Sequence, residues 1–107
     1  AIEIINKNMD NAEFGPDELA EAMQTSGRNL YRKFKKLNQS SPKDFIKEQK
    51  MKYAAKLLLT TTLNIQEIMY RIAATNRSHF YKEFAKRYNQ TPREYREANK
   101  QKDDSLV

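Results

Sequence analysis

Two groups of side chains that donate hydrogen bonds or carry positive charge stand fifty residues apart in this sequence. The first group comprises Arg28, Tyr31, Arg32 and Lys35, and the second comprises Arg77, Ser78, Tyr81 and Lys82. Arginine presents a planar fork of donors that matches the acceptor edge of guanine, whereas lysine more often contacts phosphate as a point charge. A tyrosine can donate to phosphate or pack on a sugar or a thymine methyl group. These residue types therefore favour recognition of a nucleic acid.

Each group belongs to a segment that occurs twice. Residues 29–45 read NLYRKFKKLNQSSPKDF, and residues 79–95 read HFYKEFAKRYNQTPREY. Aromatic, basic and Ser/Thr-Pro positions match at a constant offset of fifty, which slips by one residue upstream of Leu30 and Phe80. We therefore predict two copies of a helix, a tight turn and a second helix, each followed by a further helix that begins with Ser/Thr-Pro.

Helical periodicity runs through the chain and predicts an all-α fold of seven helices. They cover about 2–11, 16–23, 27–38, 42–59, 65–72, 76–88 and 92–98. The predicted N-caps are Ser26, Ser41, Asn64, Thr75 and Thr91. The run of threonines at 60–62 is a poor helix interior and ends the fourth helix. The chain then divides into a first helix-turn-helix subdomain (1–41), a linker helix (42–59), a second subdomain (60–100) and a disordered tail (101–107).

The apolar stripes predict which faces are buried. The inward residues of the first three helices are Ile2, Ile5 and Met9, then Leu19, Ala20 and Met23, then Leu30, Phe34 and Leu37. Burying the third stripe leaves the first donor group on the opposite face. On the sixth helix, burying Phe80, Phe84 and Tyr88 exposes the second group. The aromatic residues Phe34, Phe45, Phe84 and Tyr95 occupy equivalent positions and are predicted core.

Charge is distributed unevenly along the 107 residues. Residues 1–25 carry six acids and one base, a net charge of −5, whereas residues 26–102 carry nineteen bases and six acids, a net charge of +13. A basic surface of that size attracts polyanions, first nucleic acid and then an anionic membrane. Only six acids interrupt the basic region, and none lies between residues 26 and 36.

Other classes of site are disfavoured by composition. The chain has no cysteine, and its single histidine, His79, has no suitably spaced acid beside it, so neither a metal site nor a cofactor is expected. No nucleophile and base pair is visible, which argues against an enzyme. No apolar run approaches 18 residues and the N-terminus lacks the layout of a signal peptide, so we expect a cytoplasmic protein without membrane contact.

The linker helix determines how the two donor groups would be used. Residues 42–59 span about 27 Å at roughly 1.5 Å per residue. With the radii of the flanking helices, that approaches the ~34 Å between successive major-groove faces of a duplex. One chain would then read two adjacent turns of double-stranded DNA.

The combined motifs resemble the DNA-binding domain of the AraC/XylS family of bacterial transcription regulators. The matching stretches are ELAEAMQTSGRNLYRKFKKLNQSSPKDFIKEQKMKYAAKLLL and IQEIMYRIAATNRSHFYKEFAKRYNQTPREYRE, within residues 14–98. The resemblance implies two helix-turn-helix subdomains whose third and sixth helices enter successive major grooves. It also implies base-facing roles for Arg28, Tyr31 and Arg32 in the first copy and for Arg77, Ser78, Tyr81 and Lys82 in the second.

The acidic segment NKNMDNAEFGPDEL resembles the entry to such domains at the C-terminus of hybrid two-component regulators. That resemblance implies sensor or receiver domains upstream in the same chain and RNA polymerase as a further partner. The expected function is sequence-specific binding of double-stranded DNA for transcription control, with activation favoured over repression.

The sequence departs from the family where glycine is usual, in each turn and after each recognition helix. Gln24, Ala73, Gln39 and Asn89 stand at these positions. A left-handed backbone costs a non-glycine residue roughly 1 kcal/mol or somewhat more, and least for asparagine. Ala74 also replaces a large aromatic residue beside the second turn. We therefore expect the second copy to fold but to dock on DNA less reliably than the first.

Two other interpretations of the basic faces remain open. A protein-interaction module would use them to bind an acidic partner, and it would bind no DNA duplex more tightly than it binds heparin. A bundle lying on a membrane would need large apolar residues beside the lysines, whereas here they lie opposite. Tyr31 and Tyr81 serve either as DNA contacts or as half-buried supports of the helix pair, and Ser78 either as a base contact or as a small packing residue.

Overall fold

The computed structural model describes residues 2–38 and 40–105, and these form seven α-helices without a strand. The helices are α1 (Ile2–Lys7), α2 (Pro16–Ala22), α3 (Gly27–Asn38), α4 (Pro42–Thr60), α5 (Ile65–Arg71), α6 (Arg77–Tyr88) and α7 (Pro92–Ser105). The predicted all-α fold is confirmed. Helix α7 continues past Ala98, so residues 101–105 of the predicted tail are helical, and 106–107 lie outside the described residues.

Side-chain caps begin most of the helices. The side-chain oxygens of Ser26, Ser41, Asn64 and Thr91 accept the backbone N–H three residues later, at 3.1, 3.2, 2.8 and 3.1 Å respectively. Each bond satisfies a donor that the first helical turn leaves free. The cap predicted for α6 was wrong by one position. Asn76, and not Thr75, is the N-cap, because its Oδ1 accepts the N–H of His79 at 2.9 Å.

Left-handed residues follow the helices where glycine was expected. Gln24, Ala73 and Asn89 have φ of 57°, 56° and 57°, while position 39 lies outside the described residues. In both helix-turn-helix turns the next N–H reaches back five residues, from Thr25 to the carbonyl of Ala20 at 3.0 Å, and from residue 74 to that of residue 69 at 2.8 Å. This is the Schellman pattern that usually selects glycine. The two turns are therefore the same structure built without it.

The chain divides into two compact units, Ala1–Lys50 and Met51–Val107, so the boundary falls within α4. In the first unit α2 packs against both α1 and α3. Its buried apolar residues are Ile5, Met9, Phe14, Leu19, Ala20, Leu30, Phe34 and Ile46. This core holds α3 with its basic side outward.

The second unit has its own hydrophobic core. The buried members are Met51, Ala54, Ala55, Leu57, Leu58, Ile68, Met69, Ile72, Phe80 and Phe84. The rings of Phe84, Tyr88 and Tyr95 join α6 to α7, with centroids 4.6 to 5.4 Å apart. Helix α6, which follows the turn, therefore packs against both this core and α7.

Three residues predicted to face inward are not buried. Ile2, Met23 and Leu37 are 49%, 36% and 76% accessible. They line one open cleft of about 590 Å³ in the first unit, together with Phe34, Phe45 and others. The prediction failed because each of these residues lies at or next to an end of its helix, where the apolar stripe extends beyond the neighbouring helix that covers it. Within the described ranges, no helix combines the length and apolar character needed to cross a lipid bilayer.

Candidate nucleic-acid interface

Helix α3 presents the first donor group on its solvent side. Arg28, Arg32 and Lys35 are exposed, and Tyr31 is 50% accessible. The positions are spaced by three or four residues, so they share one face, while Leu30 and Phe34 turn into the core on another. Folding therefore leaves the group as a continuous basic surface.

The ring of Tyr31 lies beside a positive charge on the same helix. The Nζ of Lys35 lies 5.9 Å from the centroid of the Tyr31 ring, one helical turn earlier. At that distance the ammonium is attracted to the ring face, by roughly 0.5–1 kcal/mol at an exposed site. With half of its surface accessible, Tyr31 is compatible with both roles considered for it, a DNA contact and a half-buried support.

Helix α6 carries the second donor group in a different setting. Arg77, Ser78 and Lys82 are exposed, so Ser78 does not serve as a buried packing residue. Tyr81 is partly buried against the second core, with its ring 6.1 Å from that of Phe80. Tyr81 therefore packs part of its side chain on the core and leaves the rest at the surface, and it is more buried than its counterpart Tyr31.

Three members of the second group meet at a surface depression. Arg77, Ser78 and Tyr81 line it with Thr91 and Arg93 from the start of α7, around a volume of about 600 Å³. Two arginines and three hydroxyl-bearing residues therefore border it, residue types that can bind phosphate oxygens. Lys82 is exposed but does not line the depression.

Thr91 and Arg93 were missed by sequence reasoning about donor groups. Thr91 was interpreted only as a cap, and Arg93 was not singled out. The fifty-residue repeat could have indicated both residues, because Ser41 and the exposed Lys43 occupy the equivalent positions after α3. A cap followed two residues later by a base therefore begins the third helix of both copies.

Gln66 is a further residue that the sequence did not indicate. Its Oε1 accepts a hydrogen bond from Nη2 of Arg77 at 3.3 Å, which links α5 to the start of α6. This contact from α5 orients the side chain of Arg77, which lines the depression. Elsewhere on α6, the expectation that His79 has no suitably spaced acid beside it was wrong, because Oε1 of Glu83, one helical turn away, lies 3.8 Å from its Nε2.

An acid also lies at the start of α7. Glu94 accepts the backbone N–H of Thr91 at 2.8 Å, while its own N–H donates to the Thr91 hydroxyl. The hydrogen bond to the Thr91 backbone is the main cause that lowers the pKa of Glu94, with the Thr91 side chain second. The carboxylate therefore stays ionised and engaged in the cap beside Arg93.

The described part of the chain contains no group of three or more His, Cys, Asp or Glu side chains able to hold a metal ion. The chemistry available at both helices is instead hydrogen bonding and positive charge. Arg28 and Arg32 can each address a base edge or a phosphate, and Lys35 a phosphate. On α6 the same chemistry is concentrated around the depression.

Comparison with known proteins places the fold in a family. A family model described as a helix-turn-helix domain matches residues 19–98. The chain is 34% identical over 95 residues to histidine kinase P4 of Formosa agariphila, covering 89% of this chain and 7% of that protein. It is 35% identical over 83 residues to the xylose operon regulatory protein of Escherichia coli strain K12, covering 78% of this chain and 21% of that protein.

A solved structure is similar over nearly the same region. The C-terminal domain of the two-component response regulator yesN from Fusobacterium nucleatum superposes with a TM-score of 0.77 at 31% identity, covering 88% of this chain and 91% of that domain. The match thus covers 91% of the solved domain of one relative but only 7% and 21% of the lengths of the two larger proteins.

Proposed function

Because the chain belongs to the AraC-type family of helix-turn-helix domains found in transcription regulators, we propose that it binds double-stranded DNA in a sequence-specific manner. The observation that carries the proposal is the repeat of one arrangement. Each unit has an N-capped helix after a left-handed turn, and each such helix exposes arginine beside tyrosine and lysine. The family is one of regulatory domains and not of enzymes.

The roles follow from side-chain chemistry and exposure. Arg28 and Arg32 on α3 would address base edges in one major groove, since each guanidinium is free to present two parallel donors. Lys35 would contact the flanking phosphate. In the second unit Ser78, Tyr81 and Lys82 would face the next groove.

Arg77 and Arg93 would bind the backbone in the second unit. They line one depression with three hydroxyls, and phosphate contacts fix register and orientation without reading sequence. The second unit would therefore contribute more backbone contact and less base readout than the first. That division agrees with the absence of acids within α3 and the presence of Glu83 within α6.

The chain would act as the output part of a longer regulator. The histidine kinase relative is more than ten times longer than the matched segment, and the yesN domain comes from a two-component response regulator. We infer that sensor or receiver domains control this chain and that it works in the bacterial cytoplasm, activating transcription through RNA polymerase. A reporter whose promoter carries the selected site upstream should rise in expression when the chain is supplied.

Selection of bound duplexes from a random pool tests the proposal. We expect enrichment of a motif with two half-sites, and binding that weakens steeply with salt because phosphate contacts release counterions. The alternative, an interaction module for an acidic protein, predicts no enriched motif and equal competition by heparin. A titration without salt dependence would contradict DNA binding through these faces.

A further inference from the structure

Arg96 joins the last helix to the end of α4. It is partly buried, and its Nε donates to the carbonyl of Leu58 at 2.9 Å while its Nη2 donates to that of Thr61 at 3.2 Å. The acceptors lie 38 and 35 residues away along the chain. Both bonds lie within the second unit, so they hold α7 against the residues where α4 ends.

The carbonyl of Leu58 is among the last four of α4, which have no partner within the helix, and that of Thr61 lies one residue beyond its end. Two threonine side chains also bond carbonyls of this last turn, since Thr60 donates to the carbonyl of Lys56 at 2.8 Å and Thr61 to that of Leu57 at 2.6 Å. Arg96 adds hydrogen bonds to two further carbonyls. Its positive charge also stands at the negative end of the helix dipole, where a cation is stabilising.

The position of Arg96 connects this brace to the depression on α6. Arg93 lies one helical turn before it on α7, and Thr91 caps the same turn. Between them Tyr95 packs its ring against Phe84 of α6 at 5.4 Å. The first turn of α7 is therefore fixed on one side by a ring contact and on the other by a forked pair of hydrogen bonds.

The brace occurs in only one of the two copies. Fifty residues earlier the equivalent position is Ile46, which is 6% accessible and part of the first core. An apolar side chain serves for packing there, whereas the second copy uses a directional, charged group. This difference indicates a requirement for orientation in the second unit beyond core formation.

We propose that Arg96 is a positioning residue for DNA binding, which holds the first turn of α7 so that Arg93 and Thr91 complete the depression with Arg77. The proposal rests on the proposed function of that face. A helical turn whose backbone is already held in place loses less conformational freedom when its arginine meets a phosphate. Without the brace, the first turn of α7 would have to be ordered at the moment of binding.

A double-mutant cycle on the 107-residue chain tests this role. Arg93→Gln should weaken binding to a selected duplex by about tenfold, as expected for a lost charged hydrogen bond. Arg96→Gln should weaken it comparably, at a temperature where circular dichroism shows both variants folded. In the Arg96→Gln background, adding Arg93→Gln should cost less than about twofold, because the contact is already lost. Losses that multiply would overturn the proposal.

Two controls separate positioning from charge and from folding. Arg87→Gln removes the same charge from the exposed last turn of α6, and its effect should multiply with that of Arg96→Gln. Arg96→Lys retains the charge but not the fork, so it should restore only part of the affinity. Full recovery with lysine would mean that charge alone matters.

A measurement without DNA tests the brace directly. In Arg96→Gln, amide hydrogen exchange should accelerate at residues 94–96 and at the end of α4, with exchange in α5 unchanged. Unaltered exchange at those amides would refute the brace. If the unaltered chain selects no duplex, the proposed function fails and the DNA role of Arg96 fails with it, while the exchange result still decides whether Arg96 holds α7.

Discussion

The ring of Phe34 meets the ring of Phe45 edge to face, with centroids 5.2 Å apart and planes at 78°. Fifty residues later Phe84 and Tyr95 repeat the contact at 5.4 Å and 76°. Such pairs are directional as well as apolar. Each one sets the angle between a donor-bearing helix and the helix that follows it. The sequence repeat is therefore a repeat of packing, which presents two similar surfaces.

Arg32 is expected to read a base. Arg32→Ala should cost about 1–3 kcal/mol of binding free energy and relax the preference at one base position. Selection from random duplexes with the variant measures both effects. Lys33→Ala is the matched control, because Lys33 is also exposed on α3 but lines the cleft away from the donor face. A loss equal on all sequences would make Arg32 a phosphate contact.

Lys35 is expected to contact phosphate. Lys35→Gln should weaken binding to all sequences alike and make the slope of log K against log salt shallower by about 0.9. Titrations at several salt concentrations measure this slope, with Lys33→Gln as the control of equal charge. An unchanged slope in Lys35→Gln would show that Lys35 does not reach the backbone. Tyr31→Leu should also weaken binding to all sequences, though less than Lys35→Gln, because it removes the ring that attracts the Lys35 ammonium.

The turn of the second unit stores backbone strain at Ala73. Its φ of 56° is unfavourable for alanine, so Ala73→Gly should raise the free energy of unfolding by about 0.5–1 kcal/mol. Urea denaturation measures the change. Ala98→Gly, on the exposed face of α7, should instead lower stability by roughly the same amount. A destabilised Ala73→Gly would show that the turn favours its methyl group.

The cap of α7 is expected to depend on pH. Since the hydrogen bond to the Thr91 backbone lowers the pKa of Glu94 in the folded state, the ionised form is the one that stabilises the fold. This contribution is present above the usual carboxyl pKa and is lost as pH falls through the lowered value. Glu94→Gln should thus be less stable than the unaltered chain at pH 7, with the difference shrinking in acid.

Urea denaturation over a series of pH values measures that difference. Glu97→Gln, an exposed acid on the same helix, controls for removing one surface charge. A gap between Glu94→Gln and the unaltered chain that stays constant down to the most acidic pH would contradict a role for the ionised carboxylate.

Helix starts were predictable because their causes are local. Ser26 and Ser41 cap the residues that follow them, and the backbone bond each makes spans three positions. The left-handed turns at Gln24 and Ala73 were expected only from the resemblance to a family that usually has glycine there, because neither residue type favours a positive φ. The cap of α6 was misassigned because Thr75 and Asn76 are both good caps, and only the placement of the turn decides between them.

The remaining features depend on contacts between distant residues. Leu37 continues an apolar stripe yet is exposed, because nothing packs over the end of α3 within the described residues. Arg77 and Arg93 line the same depression only because α6 packs on α7. Likewise the acceptors of Arg96 are 35 and 38 residues away, and no spacing rule links them. The pattern within each helix predicted which donor side chains face outward, whereas tertiary packing determined which of them line the same surface.

Both donor-bearing helices are proposed to read one duplex in successive major grooves. Affinity for a selected duplex should be measured with its two half-sites about 10 bp apart, and again with about 5 bp inserted between them. The two-groove account predicts that the insertion reduces affinity to that of a duplex with a single half-site, because one helix then faces the wrong side. Equal affinity for both spacings would contradict it.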